Sequence, residues 1–554
     1  MSQPCRYGEA RSRRDGAGGR VRRIAPVALV LFLIAACAST ADRSDHAARF
    51  ALDPAGAFFS DAYREIRDYY LDPVTVEAVA VAGIDGIEGA DGTVTVEHDD
   101  RTVRLIDRGR EIGRYALPDA DDADGWAILT STAIAAIHAR DPAADDELLY
   151  QRAFDGITAK LDRFTRYAGA AAARGQKAAR DGVGDIGIRL DFNTTEPSVA
   201  EVLPGGPSAR SGIHVGDQLI AVDGFPTAGL DQARIVTALR GREGSRVGLT
   251  LRRPQRSDRV FNVGLTRKLI VPVSVTAQHD ESTAIFHIAS FNADTAPSLG
   301  QLLMRARDEM GDKLTGVVLD LRGNPGGLLD QAVDVAGLFL GHGEVASTTG
   351  RHPTSAQNFE ASGYDHARGL PLVVLVDGGS ASSSEIVASA LQDDGRGVIV
   401  GSSSYGKGTV QMVVTLQNTG ELSLTWARLH TPSGTILHGH GVVPAFCTSE
   451  PPAAKTGPAD TAGGEDMQAR VSRIIEHGLH PSPGIGTRPR ASLDEAEWQE
   501  LRRSCPASTH DNTLDLKVAK RLLQNPALYA QALTLPGALV AHDPTGHALH
   551  SALQ

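Results

Sequence analysis

Ser382 and Lys407 are the residues whose types, spacing and flanks point most directly to chemistry. LVVLVDGGSASSSEIVASALQD runs from an apolar strand through two glycines into a helix with Ile386, Val387, Ala390 and Leu391 on one face, and Ser382 sits at the junction. A hydroxyl there stands above a sheet edge, beside helix-terminal amides able to receive negative charge. Taken alone, Ser382 with Glu385 three residues on is a capping box, which makes the serine a helix N-cap and nothing more. As a nucleophile it needs a base, and His287, His342, His352, His366, His430, His438 and His440 stand at no spacing that singles one out. Lys407, in GSSSYGKGTVQ, is the only lysine between Lys313 and Lys455 and lies in a glycine-flanked turn beside apolar strands. An amine desolvated in such a place is uncharged near neutral pH and can accept the serine's proton.

Acyl chemistry also needs donors for a developing oxyanion. DLRGNPGGLLDQAV supplies a strand, a glycine turn and a helix start, and the amides of Gly326 and Gly327, with that of Ser383, are the expected hole. Ser383 is expected to contribute only its amide. Gly401, Gly406 and Lys407 nearly spell a phosphate-binding loop, but Gly408 stands where that loop needs a magnesium-binding hydroxyl and TVQMVVTLQ reads as a strand, so no nucleotide is expected. His438 and His440 lack a carboxylate or cysteine nearby to complete a metal site, so neither metal nor other cofactor is expected.

The elements that must position these groups fall into blocks. Seven arginines precede the apolar run IAPVALVLFLIAA at 24–36, which has the length of a signal-peptide core and ends at Cys37. Residues 1–36 are therefore read as a signal peptide and 37–57 as a polar tether. A helical region at 58–182 contains a β-meander near 90–118. Residues 183–267 are rich in short strands and glycines, 268–445 alternate strands and helices as an α/β core, and 446–554 form a helical extension with a mobile linker and helices near 465–477, 493–503 and 513–533. The formal charge of −12 argues against nucleic acid as a partner, since phosphate contacts need a basic stripe. Cys5 leaves with the leader, so Cys447 and Cys505 remain as an even pair, either a disulfide or two buried thiols.

DIGIRLDF, PSVAEVLPGGPSARSGIHVGDQLIAVDG and LDQARIVTALRGREGSRVGLTLRR resemble a PDZ domain. The strand IGIRLDF would offer an edge, and the amides of Ile186, Gly187 and Ile188 would converge on a chain-end carboxylate without any cationic side chain. With that domain ahead of them, DLRGNPGGLLDQAV, LVDGGSASSSEIVASALQD, GSSSYGKGTVQ and LTWARLHTPSGTILHGHGVVP resemble, in this order, the C-terminal processing peptidases or tail-specific proteases of family S41. The resemblance implies a multidomain α/β fold with a ClpP/crotonase-like protease core. It implies Ser382 as nucleophile, Lys407 as general base 25 positions on, and Gln411 as the residue that orients the lysine. The implied activity is a serine endopeptidase that binds unstructured protein C-termini through the PDZ domain and cleaves through an acyl-enzyme. Small residues before Cys37 resemble a bacterial lipobox, which implies a lipid anchor in the cell envelope facing the periplasm, at the outer membrane since Ala38 is not aspartate. The alternative is a non-catalytic, lipid-anchored PDZ adaptor; an adaptor protein or a second copy of the chain is left open as a partner.

Overall fold

The computed structural model describes residues 54–87, 94–139, 145–193, 196–254, 258–280, 282–449, 466–479, 490–509 and 513–534. The expected leader, Cys37, the tether as far as residue 53 and much of the linker lie outside the described residues, and the last four tether positions, 54–57, are the start of the first helix. Among the described residues no helix is long and apolar enough to cross a membrane.

Helices Pro54–Tyr69, Val76–Ile87, Ala123–His138 and Asp146–Ala159 enclose an N-terminal core around Phe58, Phe59, Tyr63, Trp126 and Phe154. The second and fourth of these cross backbone against backbone: a Cβ on Gly156 would lie 2.1 Å from the Ala82 carbonyl oxygen, and one on Gly86 2.4 Å from that of Arg152. The meander expected near 90–118 is the antiparallel sheet Val94–His98, Thr102–Asp107 and Arg110–Ala116, whose middle strand turns Val103 and Leu105 inward. Leu416, Leu422 and Leu424 of the protease block complete this core, so the helical region is built onto the sheet that follows Lys407.

The second block is an antiparallel sheet in the order Arg259–Thr266, Arg246–Arg253, Gln218–Val222, Ser198–Val202, Ile188–Asp191. The helix Gln232–Leu239 is capped by Asp231, whose side chain accepts from the Arg234 amide, and it buries Ile235 and Leu239 against Ile186, Val199 and Leu219. Ile188–Asp191 lies at the end of the strand order, an edge to which an extended peptide can add.

The protease block centres on a sheet ordered Val275–His279, Thr283–Ile288, Gly316–Asp320, Leu372–Val376, Val398–Gly401, Phe446–Cys447, parallel except for its first strand. Strands Gly316–Asp320, Leu372–Val376 and Val398–Gly401 are buried at every position, the pattern of a sheet covered twice. Val317, Leu319, Val374, Val376 and Ile399 meet helices Thr295–Met310, Leu329–Leu340 and Ser383–Asp393. Val318, Val373, Leu375, Val398 and Val400 meet Val471, Leu514, Val518 and Leu522 from helices Met467–Leu479 and Thr513–Leu523. The C-terminal extension is thus the third layer of the core. The helix expected across 513–533 is two helices, because Pro526 cannot continue the first and Asn525 caps the second, Pro526–Leu533, by accepting from the Leu528 amide. A second sheet, Gln357–Ala361, Gly343–Thr349, Glu421–His430 and Thr409–Thr415, carries the strand that Lys407 opens.

Candidate active site

Ser382 follows strand Leu372–Val376 and a turn held by Asp377, whose Oδ1 accepts from the amides of Gly323 (2.8 Å) and Gly379 (2.9 Å). Its φ of 56° places a non-glycine residue in the left-handed region, a strained conformation that the surroundings must enforce. The helix behind it, Ser383–Asp393, is buried along its whole length, while Ser382 itself is only half-buried at the mouth. This strand, strained turn and helix mouth is the setting in which a serine hydroxyl is presented to a substrate.

Lys407 lies between Gly406 and Gly408 at the entry to strand Thr409–Thr415. A Cβ on Gly408 would lie 1.9 Å from the His438 nitrogen, so the residue that rules out a phosphate loop is fixed by backbone contact. Burial, with the Arg166 charge acting the same way, pushes the Lys407 amine below its ordinary value, against the opposing pull of Glu385 and Asp162. Its Nζ lies 5.4 Å from the centre of the Phe164 ring, which the N-terminal region lays over it.

The two segments meet at Glu385. Its Oε2 accepts from the amides of both Ser382 (2.8 Å) and Lys407 (2.9 Å), and its Oε1 from Ser404 Oγ (2.5 Å) and the Gly406 amide (2.7 Å). Burial raises this carboxyl, and the four donors pull the other way. Among the described residues no hydrogen bond joins Ser382 Oγ directly to Lys407 Nζ; the structure brings the two together through their backbones. Gln411, expected to orient the lysine, instead donates to Thr409 Oγ1 (3.0 Å) and Thr425 Oγ1 (3.3 Å), and Thr425 donates to Asp162 (3.1 Å).

The glycine turn presses on the serine as expected, with differences in detail. A Cβ on Gly326 would lie 2.9 Å from Ser382 Cβ and one on Gly327 2.0 Å from the Phe291 oxygen. The helix begins only at Leu329, so both glycines precede it. The Gly326 amide is already engaged by Asn324 Oδ1 at 2.8 Å, whereas among the described residues the amides of Gly327 and Ser383 carry no hydrogen bond. The expectation that Ser383 supplies only an amide is corrected: its Oγ donates to the Gly327 oxygen (3.1 Å), tying the glycine turn to the serine helix.

In the second block the amides of Ile186 (2.6 Å) and Gly187 (3.0 Å) do converge, on Oδ1 of Asp185, while Ile188 opens the edge strand. Arg240 Nε lies 3.3 Å from the other oxygen of the same carboxylate, Asp185 Oδ2.

The extension reaches both loops from behind. The Ser508 oxygen accepts from the Gly378 amide (2.8 Å) and Ser402 Oγ (3.1 Å), and the Cys505 oxygen from Ser403 Oγ (2.6 Å). Arg502 donates to the oxygens of Ser404 (3.0 Å) and His440. Cys447 and Cys505 are joined by a disulfide with Cα atoms 5.7 Å apart, so this segment is tied covalently to the last sheet strand. Closing a loop with a sequence separation of 58 restricts the unfolded chain. Replacing both cysteines by serine is expected to lower unfolding free energy by about 4 kcal/mol on the chain-entropy account, read as a fall in the denaturant midpoint.

Sequence reasoning passed over Glu385 as a cap, and over Phe164, Ser404 and Arg502 altogether. Only Glu385 left a signal, its S-x-x-E spacing to Ser382.

A family model described as peptidase family S41 matches residues 282–446, and one described as PDZ domain matches 176–252. The carboxy-terminal-processing protease of Bartonella bacilliformis is 35% identical over 362 residues, covering 64% of this chain and 82% of its own length. The carboxyl-terminal-processing protease of a Synechocystis species is 32% identical over 285 residues, covering 50% and 65%. Among solved structures, a photosystem II D1 C-terminal processing protease aligns over 71% of this chain and 92% of its own at 24% identity and a TM-score of 0.36. The multidomain α/β architecture with its PDZ domain and protease core is the expected one, and the chain belongs to peptidase family S41, the carboxy-terminal-processing serine proteases.

Proposed function

We propose that the chain is an endopeptidase in which Lys407 serves as general base to Ser382 and which captures unstructured C-terminal tails in its PDZ domain before cutting upstream. The observation that carries this reading is the single carboxylate oxygen of Glu385 shared by the amides of Ser382 and Lys407, which fixes a half-buried hydroxyl and a half-buried amine on one scaffold. The neutral Lys407 amine takes the Ser382 proton as Oγ adds to the scissile carbonyl. The amides of Gly327 and Ser383 receive the oxyanion, with Gly326 joining when its bond to Asn324 is exchanged. The ammonium formed on Lys407 then protonates the leaving amine, and the same amine activates the water that releases the acyl group. Substrate closure brings Nζ to Oγ, since catalytic hydrogen bonds tighten in the complex with substrate. Gln411, through Thr425 and Asp162, holds the strand from which Lys407 projects.

The leader supports an envelope location with Cys37 as the lipid-bearing residue, on the periplasmic face of the outer membrane. The adaptor reading has no observation in its favour.

An unfolded peptide ending in apolar residues tests the proposal in two forms, one with a free C-terminus and one amidated. Faster cutting of the free acid, and a slow ester substrate leaving its acyl mass on the peptide that contains Ser382, are the expected results. Equal rates for the two forms would remove carboxylate capture, and an acyl group found elsewhere would remove Ser382 as nucleophile.

A further inference from the structure

The amide nest at the start of the PDZ edge strand is filled by the chain's own carboxylate. Gly187, at a φ of +75°, turns its N–H to the same side as that of Ile186, the arrangement by which successive amides make an anion-binding concavity. Asp185 Oδ1 accepts from both, at 2.6 and 3.0 Å. Its other oxygen faces Arg240, which ends the helix Gln232–Leu239 that walls the groove, and the Asp185 side chain is 17% exposed where Arg240 is 44% exposed. Strand pairing holds the loop in place: Asp185 is in register with Lys268, and the Gly241 amide donates to the Gly184 oxygen at 2.9 Å.

A tail carboxylate entering this nest would need the same two amides. Two ionised carboxylates do not share one pair of donors, because like charges at hydrogen-bond distance repel strongly in a partly desolvated site. The resident one has to leave, and Arg240 offers it a position outside the nest without loss of its ion pair.

We propose that Asp185 is an intramolecular competitor for the tail carboxylate and so sets the selectivity of the PDZ domain. The proposal rests on the tail-capture reading above and deepens it. A free carboxylate gains less here than it would from an empty nest, since it exchanges with one already bound. Tails that also add as a strand along the edge Ile188–Asp191 supply the remaining free energy. The domain therefore responds to long, extended, apolar chain ends and ignores small carboxylates and short tails.

Binding of a fluorescent peptide to the full chain, in a Ser382→Ala background to prevent cutting, tests this by anisotropy with free-acid and amidated forms. Asp185→Ala is expected to tighten free-acid binding roughly tenfold, the scale of one charge-assisted hydrogen bond regained, and to leave amidated binding unchanged. Asp185→Asn, nearly isosteric and so a control for folding, is expected to fall between, because its oxygen still fills the nest without the charge. If the wild type prefers the free acid and neither variant binds it more tightly, the competitor role is overturned while tail capture stands. If free-acid and amidated peptides bind alike to all three proteins, tail capture falls and the competitor role with it.

Discussion

Lys407→Ala is expected to lower kcat for an unfolded peptide by on the order of 10⁴-fold, with peptide binding to the PDZ domain unchanged. The loss follows from the proposed role of the amine as proton acceptor; His440 is engaged by Glu495 and Trp498, His430 by Thr349, and His438 packs edge-on against Phe164 with ring centres 6.0 Å apart. Lys407→Arg is expected to be as inactive as alanine, since a guanidinium stays protonated and supplies no lone pair. The pH dependence carries the sign of the shift. Burial lowers the folded-state value of Lys407, so the ammonium predominates below it and the neutral amine above it, and kcat/KM rises with pH through that lowered value. The same shift acts on stability. Between the lowered folded value and the ordinary one the unfolded chain binds more protons, so this group's penalty on folding is present in full below the lowered value and is relieved as pH rises through the window. Phe164→Ala admits water to Nζ, raises the value back toward ordinary, and is expected to move the acid limb of the profile to higher pH. A limb that stays in place in Phe164→Ala, measured on kcat/KM against pH, would show that some group other than Lys407 controls it.

How far these features could be read in the sequence depended on how local their causes are. The Ser382 junction was legible because an uninterrupted apolar strand, a double glycine and an amphipathic helix sit within one short stretch, and each limits the backbone on its own. Leu372–Val376 also carried a message that was only half used. Residues apolar at every position call for cover on both faces of the sheet. Helices from the same block cover one face, and the other partner is the extension, whose Leu514, Val518 and Leu522 showed an apolar stripe with nothing local to say where it packs. Pro526 announced its break in plain terms, and a single long helix was drawn through it nonetheless. Asp185 stood beside the expected carboxylate-binding amides and passed unnoticed, because an aspartate at a loop start is ordinary until backbone geometry shows where its oxygen lands. Glu385 is the sharpest case. Its spacing to Ser382 is local and was read, while its contacts to Ser404, Gly406 and Lys407 arise only when two sheets are assembled around one helix end.

Those contacts make Glu385→Gln the most informative change that leaves both residues of the proposed dyad intact. The carboxylate accepts two N–H groups on one oxygen, and one N–H and one O–H on the other. The Ser404 oxygen accepts from the Val442 amide at 2.7 Å and has a second lone pair, so this hydroxyl can turn to accept from an NH2 group instead of donating. A glutamine has one acceptor oxygen and one NH2 group of the same size. Turned toward the Oε2 position the NH2 meets two backbone N–H groups, and turned toward the Oε1 position it meets that of Gly406, so at least one buried backbone donor loses its acceptor. One or two buried donors left without acceptors cost roughly 1–5 kcal/mol, a large part of the stability of a typical domain. Relief comes from moving one turn away, either the one that carries Ser382 or the one that carries Lys407. The expected result is therefore a fall in kcat of roughly 100-fold or more with a lesser change in KM, since orientation between reacting groups is lost while tail binding is remote. A shift in denaturant midpoint should accompany it. If Glu385→Gln instead keeps full turnover and stability, the shared oxygen does not hold the dyad. Combining it with Lys407→Ala separates the two effects: once the base is gone, Glu385→Gln should cost stability as before and have almost no further effect on rate, because a misplaced turn no longer carries anything that reacts.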